Sequence, residues 1–238
     1  MYSKRALLVA LATLSFSSQS LANDWYVSGV LGKSWQAEDV SAYGQNIAID
    51  PDFPGAFDSN DGTVYGIGLG YHIDKNLRLE ARISYRDADF ADTQFGTGAR
   101  NGEEYQAVGD IESTTYTLEV FYDFVSDSNF KPYVKAGLGV ARNEFATKLG
   151  GAGVAAFDAF DGTVDGFYDL YADQSDTNFA WNIGVGASYE IQPGVALFAE
   201  YQYISLGDAA TGQDAFTDGF EIDSAAANEA VVGISFAF

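Results

Sequence analysis

Charged and apolar side chains alternate in the segment from Leu77 to Arg86, which reads L-R-L-E-A-R-I-S-Y-R. In a β-strand alternate residues share a face, so Arg78, Glu80 and Arg82 would point the same way. Similar alternation puts Glu119, Lys135 and Glu200 on the polar faces of other segments. A buried charge needs a partner. We therefore predict an ion-pair network inside a narrow barrel, formed by Arg78, Glu80, Arg82, Glu119, Lys135 and Glu200.

This charge inventory admits two interpretations. In the first, the ion pairs form a polar plug that fixes the strand register and closes the barrel. In the second, the barrel is a gated, narrow, cation-preferring pore, in which Arg82 and Lys135 exchange carboxylate partners. The same inward-facing rows also carry Arg86, Asp123, Glu190 and Glu229, so acids are in excess.

Aspartates cluster in two similar segments, A-F-D-S-N-D-G-T-V at 56–64 and A-F-D-A-F-D-G-T-V at 156–164. Carboxylate oxygens suit calcium, which makes Asp58, Asp61, Asp158 and Asp161 weak candidate ligands. The spacing does not match an EF-hand loop, and Asp next to Gly also favours a tight turn. Calcium therefore remains a weak possibility, and no other cofactor is expected.

Residues for nucleophilic or zinc chemistry are scarce. The chain has no cysteine and a single histidine, His72. A serine nucleophile normally needs a nearby base, and a zinc site needs several His or Cys ligands. His72 lies at the end of an alternating segment next to a short turn, where it is expected to fill one mouth of the barrel. The sequence therefore predicts a protein that is not an enzyme.

Period-two alternation of apolar and polar residues recurs in eight segments. They are 24–35, 63–73, 77–86, 113–125, 132–145, 177–191, 195–205 and 228–238. This pattern predicts an all-β fold, a transmembrane up-and-down antiparallel β-barrel with eight strands.

The connections between these segments are alternately long and short. The short ones are 74–76, 126–131 and 192–194, whereas 36–62, 87–112, 146–176 and 207–227 are long. Outer-membrane barrels show this asymmetry, with short periplasmic turns and long extracellular loops. The long connections hold most of the acidic residues, so the extracellular loops are expected to be acidic.

The two ends of the chain suggest export and membrane insertion. Residues 1–22 begin with Lys4 and Arg5, continue with an apolar run, and finish with S-L-A, as a secretory signal peptide does. Residues 23–238 would then form one barrel domain. The last segment ends in G-I-S-F-A-F, an apolar row that would be poorly tolerated at an open sheet edge but suits a lipid-facing strand.

The formal net charge is −22 at pH 7. Such a charge argues against a nucleic-acid partner and against direct attraction to anionic lipid head groups, and it permits cation binding. Solvated, acidic surface loops also account for it.

Four motifs resemble the small OmpA-like or OmpX-like (opacity-type) family of eight-stranded outer-membrane barrels. They are W-Y-V-S-G-V-L-G-K-S-W (25–35), Y-G-I-G-L-G-Y (65–71), K-P-Y-V-K-A-G-L-G-V-A (131–141) and G-I-S-F-A-F (233–238). The resemblance implies a Gram-negative outer-membrane location and a signal for the barrel assembly machinery on Ile234, Phe236 and Phe238. It implies contact with outer-membrane lipid and lipopolysaccharide. The peptidoglycan-binding domain that many OmpA proteins carry is not expected.

The resemblance favours a structural or surface-interaction role through acidic extracellular loops, which could bind an extracellular ligand. The alternative is the small gated, cation-preferring porin. A lipid A-modifying enzyme is a distant third interpretation, because such enzymes act at the end of the barrel opposite to His72.

Overall fold

The computed structural model describes residues 24–36, 40–42, 51–58, 60–124, 128–155, 164, 166–167, 169–212 and 219–238. The strands are β1 (Trp25–Gln36), β2 (Val40–Ala42), β3 (Ala56–Phe57), β4 (Gly62–His72), β5 (Leu77–Phe95), β6 (Glu104–Asp123), β7 (Phe130–Gly151), β8 (Asp169–Gln192), β9 (Val195–Ala210) and β10 (Phe220–Ala237). A 3-10 turn at Gly98–Arg100 lies between β5 and β6. Among the described residues, no helix is long and apolar enough to cross a membrane.

Eight of these strands close into an antiparallel barrel. Each long strand pairs with the next one along the chain, and β1 closes the ring by pairing with β10, for example through Val27 and Phe236. The backbone N–H of Phe238 donates a hydrogen bond to the carbonyl oxygen of Trp25 at 2.9 Å. The predicted fold class, an eight-stranded up-and-down barrel, is confirmed.

The two short strands belong to the segment predicted as the first long loop. β2 pairs with β10 through Ala42 and Phe220, and β3 pairs with β2 through Phe57 and Val40. This segment therefore adds a small extension to the barrel sheet at the end away from the short turns. We refer to this end as the hairpin end.

The strands at the hairpin end are longer than predicted. The β5–β6 pairing continues to Phe95 and Glu104, and the β7–β8 pairing continues to Leu149 and Asp169. The prediction that 87–112, 146–176 and 207–227 are loops was therefore wrong for much of each segment. Alternation continues through these parts of the strands, but the apolar residues move to the opposite face.

This exchange of faces is clearest on β7. Near the short turns, Val134, Leu138 and Val140 point outward, and Lys135 points inward. Beyond them the strand keeps its alternation, but Arg142 and Glu144 now occupy the outward positions. Phe145 and Leu149 are on the inward side and are 1% and 2% exposed. The outer surface thus divides into an apolar belt and a polar wall.

Candidate functional site: the charged lumen and its apolar cap

Arg82 lies at the centre of the charged lumen, on the inward face of β5. Its Nε is 2.8 Å from Glu80 Oε1 and 3.5 Å from Glu119 Oε2, and its Nη1 is 2.6 Å from Glu200 Oε1. These carboxylates come from β5, β6 and β9, so one guanidinium connects strands from opposite sides of the barrel. The contact fixes the relative position of these strands.

Lys135 on β7 is the second cation of this group. Its Nζ is 3.1 Å from Glu119 Oε2 and 2.7 Å from Glu200 Oε1. Its side chain is completely buried. Lys135 and Arg82 therefore share two carboxylates, as the exchange of partners in the pore hypothesis requires.

Neutral donors complete the carboxylate contacts. Ser28 donates a hydrogen bond to Glu80, Tyr133 donates one to Glu200 at 3.0 Å, and Asn182 donates one to Glu119 at 3.0 Å. The group contains two bases and three acids, so these donors help to stabilise its excess negative charge. We call Glu80, Arg82, Glu119, Lys135 and Glu200 the central cluster.

Glycines make room for the central cluster. A side chain at Gly68 would overlap the carboxylate of Glu80. A Cβ atom on Gly137 would lie 2.8 Å from Asn182 Nδ2. The absence of a side chain at these two positions therefore leaves the space that the long polar side chains occupy in the lumen.

Arg78 makes its contacts closer to the short turns than the central cluster. Its Nε is 3.0 Å from Asp123 Oδ2, and its Nη1 donates a hydrogen bond to the Tyr26 hydroxyl at 3.1 Å. Its guanidinium also lies 4.0 Å from the centre of the Phe121 ring. Asp123 is thus the ion-pair partner of Arg78, and it was not among the network residues selected from the sequence.

A third charged layer lies on the other side of the central cluster. Arg86 forms a salt bridge with Glu229, and its Nη1 donates a hydrogen bond to Thr115 at 2.8 Å. Gln202 donates to Glu229 at 2.6 Å. Arg86 and Glu229 both lie on the inward-facing rows recognised in the sequence. Strand alternation was therefore the signal that could have assigned them to the network.

A cavity of about 550 Å³ opens at the short-turn end. Arg78 and Asp123 contribute to its lining, and His72 lies at its edge. The ring of His72 is 5.0 Å from that of Tyr26, and its Nδ1 is 3.3 Å from the carbonyl oxygen of Asp24. His72 therefore lies in the mouth of the barrel, the position expected from the sequence.

The interior of the hairpin end is apolar. Its buried residues are Phe57, Tyr105, Ala107, Ile111, Ala141, Phe145, Leu149, Tyr171, Ala180, Ile204, Leu206, Ala209, Phe220, Ile222, Ala225 and Ala227. We call this group the apolar cap. The ring of Phe220 is 6.0 Å from that of Phe57 and 5.2 Å from that of Tyr171. The short strand β3 thereby supplies part of the cap.

A polar contact links the β3 segment to β5. The Asp92 carboxylate accepts hydrogen bonds from the backbone N–H of Asp58, the backbone N–H of Thr93 and the side chain of Gln94. Burial alone would raise the pKa of Asp92. The three donated hydrogen bonds outweigh that effect and lower the pKa below its usual value.

Two of the four candidate calcium ligands lie within the described residues. Asp58 and Asp61 are exposed on either side of residue 59, whereas Asp158 and Asp161 lie outside the described residues. Within the part of the chain that the structure describes, no three His, Cys, Asp or Glu residues are arranged to hold a metal ion.

The three residues of the expected assembly signal lie at the end of the chain, near the short turns. Ile234 and Phe236 lie on the outward face of β10, and Phe236 and Phe238 are 44% and 37% exposed. Phe236 is paired with both Val27 of β1 and Val195 of β9. Their side chains therefore belong to the apolar belt next to the barrel closure.

Comparison with known proteins assigns the family. The model of the outer membrane protein beta-barrel domain matches residues 6–238. The chain belongs to this outer-membrane β-barrel family. It is therefore a protein of the Gram-negative outer membrane, as the resemblance implied. In such barrels the short turns face the periplasm, which makes the hairpin end extracellular.

Two curated relatives and two solved structures are similar to this chain. Outer membrane protein PagN of Salmonella typhimurium is 28% identical over 73% of this chain and 72% of its own length. A Rickettsia conorii protein named "Putative adhesin RC1281" is 26% identical over 82% of this chain and 74% of its own length.

The solved structures support the barrel fold. Neisserial surface protein A has a TM-score of 0.51 at 19% identity, over 90% of this chain and 97% of its own. The outer membrane protein OprG of Pseudomonas aeruginosa has a TM-score of 0.54 at 14% identity, over 90% and 95% of the two chains.

Proposed function

We propose that this protein is a closed barrel whose extracellular hairpins form a rigid surface for interaction with an extracellular ligand. The observation that carries this proposal is the apolar cap. Because the hairpins have their own buried core, they hold a defined shape above the membrane, as a recognition surface requires. Flexible loops would lose more conformational entropy when a ligand binds.

The outer wall of this surface is acidic. Asp87 on β5 is directly opposite Glu112 on β6, which is directly opposite Glu144 on β7. One step farther from the membrane, Asp89 is opposite Asp110. Like charges in such close pairs create a negative potential that attracts basic groups and repels nucleic acid. The expected ligand therefore presents basic groups, directly or through bridging cations.

The names of the relatives are consistent with a non-enzymatic role at the surface. One is named an outer membrane protein and the other an adhesin. The single histidine lies at the periplasmic mouth, far from the extracellular wall. We therefore favour ligand binding over catalysis.

Adhesion of living cells tests this role. Expression in a non-adherent Gram-negative strain should increase adhesion to cultured epithelial cells or to plates coated with extracellular matrix. Neutralising the wall with Asp87→Asn, Asp89→Asn, Asp110→Asn and Glu112→Gln should remove most of that gain. Equal adhesion of the expressing strain and an empty-vector strain on both surfaces would contradict the proposal.

A matched control removes positive charge, instead of negative charge, from the neighbouring part of the outer wall. Arg142→Gln and Lys148→Gln leave the cap intact and make the surface more acidic. Adhesion should stay the same or increase if basic groups are the target. Surface display of every variant can be checked by labelling intact cells.

A small gated pore is the second candidate function. Lys135 and Arg82 share Glu119 and Glu200, which would permit the exchange of partners needed for gating. The apolar cap above the cluster argues for a closed lumen. Planar-bilayer recordings should show no channels if the first proposal holds. Cation-preferring channels that change in Arg82→Ala and Lys135→Ala would favour the pore instead.

We further propose that Ile234, Phe236 and Phe238 form the signal for the barrel assembly machinery. Deletion of Phe238 removes an aromatic side chain and the backbone N–H that bonds to Trp25. Folding, measured by the heat-dependent shift in gel mobility, should become slower and less complete in cells. Phe95→Ala, an exposed aromatic on a hairpin, provides the control.

A further inference from the structure

A shallow groove crosses the outward face of β1, β10 and β9. Leu31 and Lys33 of β1, Ala230 and Val232 of β10, and Tyr201 of β9 contribute to it. In the pairing register Ala230 lies between Lys33 and Tyr201, and Val232 lies between Leu31 and Ala199. The small side chains of Ala199 and Ala230 leave a depression between larger neighbours such as Leu31 and Tyr201.

The groove lies in the apolar belt, close to its extracellular edge. Leu31 and Val232 are 61% and 62% exposed, so their side chains face lipid in the membrane. Lys33 is one outward position farther along β1, and Trp35 follows at the next. A tryptophan at this level is typical of the boundary between hydrocarbon and head groups. The groove therefore faces the outer leaflet.

Lys33 differs in the sign of its charge from the acidic residues of the same cross-strand row. The cross-strand row that carries Glu144, Glu112 and Asp87 continues through Thr63 to Lys33. The row is thus acidic on β5 to β7 and basic on β1. Within the described part of the chain Lys33 forms no salt bridge, whereas Arg142 is 2.8 Å from Glu144.

A lysine in this position has a physical preference for an anionic head group. Its aliphatic stem can lie against the apolar belt while the ammonium group reaches the head-group level. The acidic wall on the other side of the barrel would repel a phosphate. Within the described residues, the groove next to Lys33 thus combines an apolar depression with a cation that forms no salt bridge.

We propose that this groove binds one phosphorylated, multiply acylated lipid of the outer leaflet. One acyl chain lies over Ala199 and Ala230, and a phosphate contacts Lys33. This site is additional to the surface-interaction role and does not depend on it.

Native mass spectrometry of the folded, full-length protein in detergent can test the site. The probes are bisphosphorylated hexa-acyl lipid A and the same lipid with both phosphates removed. Lys33→Ala should lower the affinity for the phosphorylated lipid about twofold to fivefold, the range of one exposed ion pair. The affinity for the dephosphorylated lipid should not change, and Lys33→Arg should retain tight binding.

A second variant tests the groove itself. Ala230→Leu fills the depression and should weaken binding of both lipids. Ala81→Leu, on the outward face of β5, is the matched control and should leave both affinities unchanged. Lys75→Ala in a periplasmic turn is the charge control.

The proposal would be overturned by equal binding of the two lipids to the wild-type protein. It would also be overturned if Lys33→Ala and Lys75→Ala had equal effects, or if Ala230→Leu and Ala81→Leu did. Heat-dependent gel mobility identifies any variant that fails to fold. If Lys33→Ala fails to fold, Lys33→Gln, which removes the charge and keeps most of the aliphatic stem, takes its place.

Discussion

The membrane part of this barrel and its extracellular part use the same strands in opposite ways. Within the membrane, Glu119 on β6 and Lys135 on β7 point inward and form ion pairs. Farther along these strands, Ile111 and Phe145 point inward on the same faces and join the apolar cap. On the outward faces the order is reversed, with apolar residues within the membrane and polar residues beyond it.

The surroundings of the barrel explain this difference. Lipid favours apolar side chains on the outside, which leaves the inward face to polar groups that must pair with one another. Water favours polar side chains on the outside, so the same barrel can have an ordinary hydrophobic core inside. The change from one arrangement to the other therefore marks the membrane boundary.

Loss of a cation from the central cluster should have the largest effect. Arg82→Met leaves Glu80, Glu119 and Glu200 with Lys135 as the remaining base of the cluster. Breaking such buried pairs costs about 3–5 kcal/mol of unfolding free energy. Urea unfolding in lipid vesicles measures the loss. Arg142→Met on the exposed wall is the control. Equal losses of unfolding free energy in the two variants would contradict a special contribution of the buried cluster.

Truncation in the apolar cap should affect the extracellular part selectively. Phe145→Ala removes a side chain that is 1% exposed and should cost about 3 kcal/mol. Proteolysis of intact cells should then cleave the hairpins faster, while the membrane part stays protected. Phe95→Ala, which removes a ring that is 59% exposed, should change neither property. Full protease resistance of Phe145→Ala would show that the cap is not needed for rigid hairpins.

One substitution placed at two positions tests the boundary directly. Ala136 and Ala146 both point outward from β7, but only Ala136 lies in the apolar belt. Ala136→Arg should cost about 2 kcal/mol because it places a charge in lipid. Ala146→Arg should cost less than about 0.5 kcal/mol, since it lies on the polar wall opposite Asp110. Similar urea midpoints for the two variants would place the boundary elsewhere.

The smallest expected effect concerns the hydrogen bonds of Asp92, which link the β3 segment to β5. Since the pKa of Asp92 is lowered in the folded state, its contribution to stability is present at neutral pH and is lost as the pH falls through that lowered pKa. The NMR signal of the Asp58 amide should follow this titration, with a midpoint below the ordinary Asp value of about 3.9. Asp92→Asn should abolish the titration. A midpoint at or above the ordinary value would contradict the hydrogen-bond assignment.

Much of the barrel could be predicted from the sequence, because strand alternation is a local property. It identified the strands on both sides of the turn at 74–76 and the inward position of Arg82. The hairpin ends were missed because a search for outward apolar rows stops at Tyr85 and Val140. The partner of Arg78 was also missed, since alternation assigns a residue to a face but does not specify its neighbour across the lumen.

The sequence by itself determined which side chains share a face, where the chain turns, and that apolar rows such as Val232 to Phe236 need a lipid environment. These follow from backbone geometry and from the transfer of side chains out of water. Only the tertiary structure decided that Arg82 and Lys135 share carboxylates, that β3 enters the apolar cap, and that Lys33 stands beside a groove. Barrel closure and stagger between strands decide those contacts, because they bring together residues that are distant in the chain.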